Sequence, residues 1–579
     1  MLTVVAGVTP ILAAVATRAL VDELTRPAGT DSGTLVALGA IVVAAGGLGT
    51  VLGYLSSLVA GIQRRAIQFT AENDVHKALT RLRGLRRFEE PDFQNRLGLA
   101  MQSGADSPGA VLGSCFELIR SAVMIGGFVG VLVVTWWPAS VLLVVAAVPT
   151  LAAQRSLARS NASTTETAMA LHRRRFSYQT LLTGLASIKE VKLFDLEGLF
   201  HDRMMSYSAR ANAKEIAAER RTALTQSAYV LLTVAVMAVG VVYVIGRAAS
   251  GGLSAGDVLI FVTAVTSVQT GLGSMARESA RAGRAVRLFH HYMAVLACPP
   301  DIASGPREPT ALRRGIVFED VWFRYDESGE WVLRGLDLTI RAGESLALVG
   351  VNGAGKSTVM KLLCRFYDPD RGRITWDGVD LKELSTSELR RRISAAFQDH
   401  TVYDLTVAEN IGVGDVARLD DRAGIAAAAR MTGADEVARE LSDGYDTLVS
   451  RIFFQGEGEQ PGTALSGGQG QRLALARAMM RDDADLLLLD EPSSWLDALA
   501  EQHINRELIE RRRGRTSILI SHRLSTLREV DRIAVIAHGQ VTEIGSHGAL
   551  MALNGSYAEM FQAQAAAYTE ASLKVAGHE

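Results

Sequence analysis

Long stretches without a single charged side chain limit what this chain can fold into more than any other feature. Residues 2–20 contain only Arg18. No Asp, Glu, Lys or Arg occurs from 33 to 63, between 120 and 155, between 221 and 247, or between 257 and 277. A helix crosses the hydrocarbon core of a bilayer with roughly 20 apolar residues, and the stretch after 120 is long enough for two helices around the break "TWWPAS". The sequence therefore predicts six spans, at about 2–20, 35–60, 117–136, 138–155, 224–246 and 255–276.

The segments between the predicted spans differ in charge, and this difference predicts the orientation of the chain. The loops 61–116 and 156–223 are rich in Lys and Arg, whereas "VDELTRPAGTDSG", "WWPAS" and "RAASGGLSAGD" are short and poor in both. In membrane proteins the excess of Lys and Arg lies in the cytoplasmic loops. We therefore expect an integral membrane protein with both termini in the cytoplasm.

A water-soluble part follows the predicted spans. The chain has 579 residues, of which 48% are hydrophobic and 21% charged, as expected for a mixed membrane and cytosolic protein. We predict a membrane domain over 1–285, a linker containing Pro and Gly over 286–314, and a tail over 565–579. Between them, strand-like stretches such as "ESLALVG" and "DLLLLD" alternate with helical ones, which indicates an α/β domain over 315–564. The net charge of -2 provides no basic face for nucleic acid, and three cysteines without a CxxC pair argue against disulfides and structural zinc.

One glycine-rich segment of the α/β part has the spacing of a phosphate-binding loop. In "GVNGAGKST", four residues separate Gly350 from Gly355, Lys356 and Ser357. The glycines let the backbone wrap around phosphates, the lysine reaches the β and γ oxygens, and the serine hydroxyl can bind Mg²⁺. The strand-like "ESLALVG" before it and the helical "STVMKLLCRF" after it supply the context that the pattern requires. The segment predicts binding of ATP with Mg²⁺.

Two carboxylates follow an apolar strand about 130 residues further on, in "ADLLLLDEP". Asp490 ends the strand and can complete the Mg²⁺ shell, while Glu491 can orient and deprotonate a water for attack on the γ-phosphate. The alternative is a pair of surface carboxylates before a proline turn. A phosphate loop in the same domain favours hydrolysis.

A third motif, "LSGGQ" from Leu465 to Gln469, stands between the other two and opens a helix. With all three motifs in this order, the α/β part resembles the nucleotide-binding domain of ATP-binding cassette (ABC) transporters. That resemblance implies two cassettes that dimerise head to tail. Ser466, Gly467 and Gly468, with Gln469, would then hold the γ-phosphate of ATP in the phosphate loop of the other subunit.

The resemblance implies roles for further residues of this chain. Tyr325 of "VWFRYDE" would stack on adenine, and Gln398 of "ISAAFQDH" would contact Mg²⁺ and the attacking water. Asp497 of "SSWLDA" would lie at the dimer contact, and His522 of "ILISHRLS" would contact the γ-phosphate. The phosphate loop as a whole would bind the nucleotide, through Gly350, Asn352, Gly353, Ala354, Gly355, Lys356, Ser357 and Thr358.

The sequence departs from the family's pattern in two places and matches it in two others. Trp495 occupies a position where these transporters have a small residue, and the interval 450–462 before the signature is longer than usual. Trp495 would lie beside the contact between the two cassettes, and the longer interval would bear on the coupling between the cassette and the membrane domain. In the basic loops, "RRFEEPDFQNRL" and "LTGLASIKEVKLFDLEG" are similar to the two coupling helices that dock on the cassettes of ABC exporters.

The resemblance predicts six transmembrane helices of the ABC exporter type followed by an ABC ATPase domain, a half-transporter that works as a homodimer or heterodimer. ATP hydrolysis would drive export of a small molecule or peptide. The predicted spans contain almost no charge beyond Arg18, which favours a lipophilic or amphipathic cargo. The similarity to bacterial exporters implies a bacterial inner or plasma membrane. Three alternatives stay open at this point: an importer on the same architecture, a non-transporting ATPase such as a soluble cassette acting on ribosomes or DNA, and an ATP-gated channel or regulatory subunit.

Overall fold

The structure is a computed structural model that describes residues 2–26, 32–101, 107–184, 187–450, 462–492, 504, 506–510, 514–521, 523 and 527–563. The chain forms two compact units. The first comprises Met1–Leu79 and Asn95–Cys298, and the second comprises Thr80–Gln94 and Pro299–Glu579. The short stretch Thr80–Gln94 thus leaves the helical unit and packs with the α/β unit.

The described part of the first unit consists of helices joined by turns. Its helices, together with α3, which lies within Thr80–Gln94 of the second unit, are α1 Leu2–Leu24, α2 Ser32–Arg81, α3 Arg86–Glu89, α4 Pro91–Leu99, α5 Ser107–Thr183, α6 Ile188–Leu193, α7 Glu197–Ala249 and α8 Ala255–Leu296. The backbone of α5 is not helical at Trp136, with φ -163° and ψ 94°, inside the "TWWPAS" break. Five helical stretches in the described part of the chain are long and apolar enough to cross a membrane: Leu2–Leu24, Ser32–Arg81, Ser107–Pro138, Glu197–Ala249 and Ala255–Leu296.

The apolar side chains of this unit divide between a small core and an outer surface. Phe128 and Ala264 are fully buried in a cluster formed by α1, α5, α7 and α8. By contrast, Val43 is 75% exposed and Val134 is 89% exposed. A soluble protein rarely exposes so continuous an apolar surface, so these helices require a lipid environment.

The second unit contains all twelve described strands. These are β1 Gly315–Phe323, β2 Leu333–Arg341, β3 Ser345–Val349, β4 Arg371–Trp376, β5 Val379–Asp380, β6 Ile393–Ala396, β7 Leu405–Thr406, β8 Leu448–Val449, β9 Leu486–Asp490, β10 Thr516–Ile520, β11 Arg532–Ala537 and β12 Gln540–Gly545. Its helices are α9 Lys356–Leu363, α10 Thr386–Arg391, α11 Val407–Gly412, α12 Arg422–Thr432, α13 Ala434–Glu440, α14 Gly467–Met479 and α15 His547–Leu553.

A six-stranded sheet organises this unit, in the order β12-β11-β3-β10-β9-β6. Its strands β11, β3, β10, β9 and β6 are parallel, and the central ones are buried along their whole length. An antiparallel sheet, β2-β1-β4-β5, packs through its apolar face on the same core. Because the parallel strands share one direction, the loops that follow β3, β6, β9 and β10 all emerge at one edge, where ligands bind in open α/β sheets.

Candidate active site

The loop between β3 and α9 is held in a shape that only glycine accommodates at two of its positions. Gly350 has φ +152°, and a Cβ atom there would lie 2.2 Å from the carbonyl oxygen of Ile536. Gly355 has φ +105°, and its Cβ would lie 2.7 Å from Leu333 Cδ2. Gly353 is also left-handed, at φ +81°. The loop, which also carries Asn352 and Ala354, therefore wraps its backbone N–H groups around the start of α9, the arrangement that cradles phosphates.

Lys356 is the first residue of α9 and lies inside this loop. Its Nζ donates to the carbonyl oxygens of Gly350, at 2.8 Å, and Val351, at 3.0 Å, and the side chain is only 7% exposed. Burial lowers the pKa of Lys356, while the nearby carboxylates of Glu491 and Asp490 act against this shift. The ammonium group is thus preorganised at the loop, with two carboxylates near it.

Asp490 ends β9 at the same edge of the sheet, and it is buried. Burial raises the pKa of Asp490. The Ser357 hydroxyl donates a hydrogen bond to the Asp490 carboxylate and lowers that pKa, whereas the nearby Glu491 carboxylate raises it. Ser357 and Asp490 therefore bring a hydroxyl and a carboxylate oxygen together next to the phosphate loop. Mg²⁺ prefers oxygen ligands and is commonly bound by one or two protein oxygens plus phosphates, so this pair fits the ion.

Hydrogen bonds hold both the backbone and the side chain of Glu491 in place. Its φ of +48° lies in the left-handed region, which costs a non-glycine residue about 1–2 kcal/mol. The surrounding contacts stabilise this conformation, because Glu491 N donates to Ile520 O at 2.9 Å and Gln471 Nε2 donates to Glu491 O at 3.1 Å. The Gln398 amide donates to the carboxylate oxygen Oε2 at 3.1 Å. The carboxylate is therefore oriented by a neighbouring loop.

Tyr325 follows β1, and its side chain reaches α9. Its hydroxyl lies 3.0 Å from the Thr358 Oγ1. The ring meets Phe323 and Tyr367 edge-on, at centroid distances of 5.0 Å and 5.3 Å, and Lys361 Nζ lies 5.1 Å from its centre. Tyr325 is therefore a half-buried aromatic beside the phosphate loop.

The "LSGGQ" segment begins α14. Ser466 is the N-cap residue: its hydroxyl accepts from Gln469 N, and the Gln469 side chain accepts from Ser466 N. Leu465 is buried, whereas Ser466 and Gly467 are exposed. The described hydrogen bonds of Ser466 all stay within the first turn of α14. The start of a 13-residue helix, with its positive dipole end, therefore faces solvent in the single chain.

Several predicted residues lie outside the described part of the chain. Asp497 and His522 are among them, as are Trp495 and the interval 451–461. The residue before His522, Ser521, is described and follows β10. Their roles stay predictions.

The contribution of Gln471 was not predicted from the sequence. Gln471 lies between Gly470 and Arg472 near the start of α14, where nothing in the local pattern marks it as buried, yet the structure buries its side chain. Buried polar side chains require hydrogen-bond partners, and this one finds the carbonyl oxygen of Glu491. Nothing in the local pattern identified which partner it would take.

Comparisons with known proteins show what this chain is similar to. A family model described as "ABC transporter" matches residues 333–494. The ATP-dependent lipid A-core flippase of Chromohalobacter salexigens is 37% identical over 334 residues, which are 58% of this chain and 56% of that protein. The Multidrug resistance protein pgp-1 of Caenorhabditis elegans is 37% identical over 55% of this chain and 24% of that protein.

A solved structure extends the likeness to nearly the whole chain. It is described as a bacterial Atm1-family ABC exporter with ATP bound, and it superposes with a TM-score of 0.82 at 26% identity, covering 97% of each chain. The sequence matches are shorter, since the chain spans little more than half the length of the curated flippase that it matches.

Proposed function

Because this chain fuses a helical membrane domain of the ABC exporter fold to an ABC transporter ATPase domain, we propose that it is one half of a dimeric exporter that couples ATP hydrolysis to the outward movement of a lipid-like cargo. The observation that carries the proposal is the meeting of Lys356, Asp490 and Glu491 at one edge of the parallel sheet. The positive-inside rule supports a cytoplasmic cassette in a bacterial inner membrane.

In the proposed site, the triphosphate lies in the loop from Gly350 to Ser357. The Lys356 ammonium, already aimed into the loop, would exchange carbonyl oxygens for β and γ oxygens. Ser357 and Asp490 would hold Mg²⁺, which neutralises negative charge on the phosphates when bound. Tyr325 would provide an aromatic face for the adenine.

Glu491 is the proposed general base. Its carboxylate would take a proton from the water that attacks the γ-phosphate, and the Gln398 amide, which already donates to Oε2, would keep that carboxylate oriented. A fixed carboxylate needs little reorganisation during the reaction, and this supports catalysis by preorganisation. His522 and Asp497 complete the proposed site at the γ-phosphate and at the dimer contact.

The start of α14 is the part of a second copy of the chain that would contact the bound nucleotide. Its N-terminal N–H groups and dipole favour an anion, and the capping box of Ser466 and Gln469 keeps this helix end rigid. We propose that Ser466, Gly467 and Gly468 of one subunit hold the γ-phosphate bound in the loop of the other. ATP would then stabilise the closed dimer, because it contacts both subunits only in that state.

The proposed cargo is lipophilic or amphipathic. The described spans contain very few charges, so a strongly charged solute would find little to compensate its desolvation. The flippases among the relatives support a lipid-like molecule.

The decisive experiment uses purified protein in lipid nanodiscs and the variant Glu491→Gln. The amide keeps the size of the side chain but cannot accept the proton, so we expect ATP turnover to fall by about 10²- to 10⁴-fold while ATP binding is retained. Glu308→Gln, at an exposed site in the linker, is the matched control and should keep full turnover. Unchanged turnover in Glu491→Gln would remove the residue from its proposed role.

Transport itself is tested in proteoliposomes with a fluorescent lipid analogue. We expect ATP-dependent movement of the analogue in the wild type and none in Glu491→Gln. An ATP-dependent ion current without lipid movement would instead identify a channel, and movement toward the cassette side would identify an importer.

A further inference from the structure

The segment Thr80–Gln94 is attached to the cassette by its backbone. Leu85 N donates to Phe366 O at 3.1 Å, and Gly84 N donates to Asp301 Oδ1 at 3.0 Å. The fit at Gly84 is tight, because a Cβ atom there would lie 2.5 Å from Asp301 Oδ2 and 2.8 Å from Phe366 O. Arg390 Nη2 donates to Arg83 O at 2.6 Å. These contacts fix the position of α3, which starts at Arg86.

Arg86 connects α3 to the backbone beside Tyr325. Its Nη2 donates to Arg324 O at 3.3 Å and lies 3.8 Å from Asp370 Oδ1. The other oxygen of Asp370 accepts from Arg324 N at 2.9 Å. Residue 324 is thus held at both its N–H and its carbonyl group, and the next residue in the chain is Tyr325.

Glu89, on the same helix, reaches Tyr325 by a second route. Tyr367 is 3% exposed, and its ring lies at 89° to that of Tyr325. Within the described chain its buried hydroxyl makes no close hydrogen bond, but it lies near the Glu89 carboxylate. Burial, followed by Glu89, raises the pKa of Tyr367. The hydroxyl is therefore neutral, and the Glu89 carboxylate of α3 lies where it can accept a hydrogen bond from it.

Both routes lead to Tyr325, whose ring would face the nucleotide base. The backbone contacts of Gly84 and Leu85 attach the segment to the cassette. The side chains of Arg86 and Glu89 reach further, to the backbone at residue 324 and to the hydroxyl of Tyr367. Stacking depends on ring position and angle, so a displaced ring loses part of the contact.

We propose that α3 positions Tyr325 for the nucleotide base, Arg86 through the backbone at residue 324 and Glu89 through the ring of Tyr367. The inference rests on the proposed function, in which Tyr325 provides the face for adenine. Coupling between two sites is reciprocal, so binding of the base stabilises the docking of α3 to the same extent that α3 stabilises binding of the base. The triphosphate portion of the nucleotide does not take part in this coupling.

The test compares ATP with inorganic tripolyphosphate, a probe that has the phosphates but no base. Both compete with a fluorescent ATP analogue on the full-length protein in nanodiscs. We expect Arg86→Ala and Tyr367→Leu to weaken ATP about three- to tenfold, the size of one aromatic contact, and to change tripolyphosphate by less than about twofold. Tyr367→Phe keeps the ring but removes the hydroxyl that faces Glu89, so it should weaken ATP by less than Tyr367→Leu does and leave tripolyphosphate unchanged.

The matched control is Arg373→Ala. It removes an exposed arginine of the same cassette that pairs with Glu319, and both ligands should bind as in the wild type. An unchanged ratio of ATP to tripolyphosphate affinity in Arg86→Ala and Tyr367→Leu overturns the inference, and so does equal weakening of both ligands. Failure of the wild type to bind ATP, or an unchanged ratio in Tyr325→Ala, would instead contradict the proposed function.

Hydrogen exchange provides a second measurement that does not depend on the variants. ATP should slow amide exchange at Leu85 and in α3 of the wild type, whereas tripolyphosphate should leave it unchanged. Equal protection by the two ligands would mean that phosphate binding alone closes the segment onto the cassette, against the inference.

Discussion

Replacing Gly350 by alanine tests whether the shape of the phosphate loop depends on a missing Cβ atom. Gly350 has φ +152°, and the added Cβ would lie 2.2 Å from the Ile536 carbonyl oxygen, closer than real Cβ contacts come. Gly353 offers a comparison within the same loop, because its φ is +81° but its Cβ would meet no atom within 4 Å. The two substitutions therefore separate the cost of the backbone angle from the cost of the collision.

The expected magnitudes follow from this difference. An L-residue in the left-handed region costs about 1–2 kcal/mol, which is the whole effect expected for Gly353→Ala. At Gly350 the loop or β11 must also move by at least about 0.8 Å to reach a 3.0 Å contact. Overpacking of this kind costs about 1–3 kcal/mol more. The total for Gly350→Ala is about 2–5 kcal/mol, and movement of the Gly350 carbonyl should also weaken ATP binding, because Lys356 donates to it.

Scanning fluorimetry of the detergent-purified protein measures these effects as shifts in the thermal midpoint of the cassette. At about 2–4 °C per kcal/mol, Gly350→Ala should unfold well below Gly353→Ala, which should unfold below the wild type. Gly548→Ala is the control, since its Cβ meets no atom within 4 Å and its φ is unstrained, so no loss is expected. If Gly350→Ala is as stable as Gly353→Ala, the collision argument is wrong.

Three further substitutions test the site and the membrane unit. Gln398→Ala removes the amide that orients Glu491, so kcat should fall about 10- to 100-fold with little change in the KM for ATP. Burial raises the pKa of Asp490 above its unfolded value, so its contribution to stability is complete below the unfolded pKa and disappears as the pH rises through the folded pKa. Asp490→Asn should therefore raise the thermal midpoint of the nucleotide-free protein at pH 7, with the gain shrinking toward pH 4, and should abolish stabilisation by Mg²⁺ and ATP. Arg18→Ala removes a guanidinium that lies 2.7 Å from Asp257, and it should lower the midpoint of the membrane unit by the equivalent of about 1–3 kcal/mol.

Each of these predictions has a control and a contrary outcome. Gln540→Ala removes an exposed amide of β12 and should leave kcat unchanged. An equal fall in kcat in Gln398→Ala and Gln540→Ala would contradict the role of Gln398. If the thermal midpoint of Asp490→Asn exceeds that of the wild type by as much at pH 4 as at pH 7, burial of the carboxylate charge is not the cause of the difference. Arg26 is 68% exposed and pairs with Glu23 at the end of the same helix. If Arg26→Ala lowers the thermal midpoint as much as Arg18→Ala does, the ion pair of Arg18 with Asp257 of α8 is not the cause.

The shape of the phosphate loop and the elements around it could be predicted from local sequence because the motifs are short and contiguous. Gly350 to Ser357 specify a loop, a strand before it and a helix after it, and Asp490 ends an apolar strand. The local pattern also predicted the interruption near Trp136. The count of six spans stays a prediction, because five candidates occur in the described part of the chain.

Other contacts could not be predicted in this way. Gln398 meets Glu491 across 93 residues because β6 is the neighbour of β9 in the sheet, and Arg86 meets the backbone at residue 324 across 238 residues. The left-handed backbone of Glu491 and the hydrogen bond from Gln471 likewise arise from packing around β9 and α14.

The sequence by itself determined which residues can bind phosphate, carry a proton or enter lipid, because glycine freedom, charge and apolarity belong to each residue and its immediate neighbours. The tertiary structure alone decided which residues of distant segments meet, including the contacts of Gly84 with Asp301 and of Arg86 with the backbone at residue 324. The physical reason is that strand order and side-chain partners are selected by the burial of whole surfaces and by the pairing of buried polar groups. These terms are shared among segments far apart in the chain, and no local window contains them.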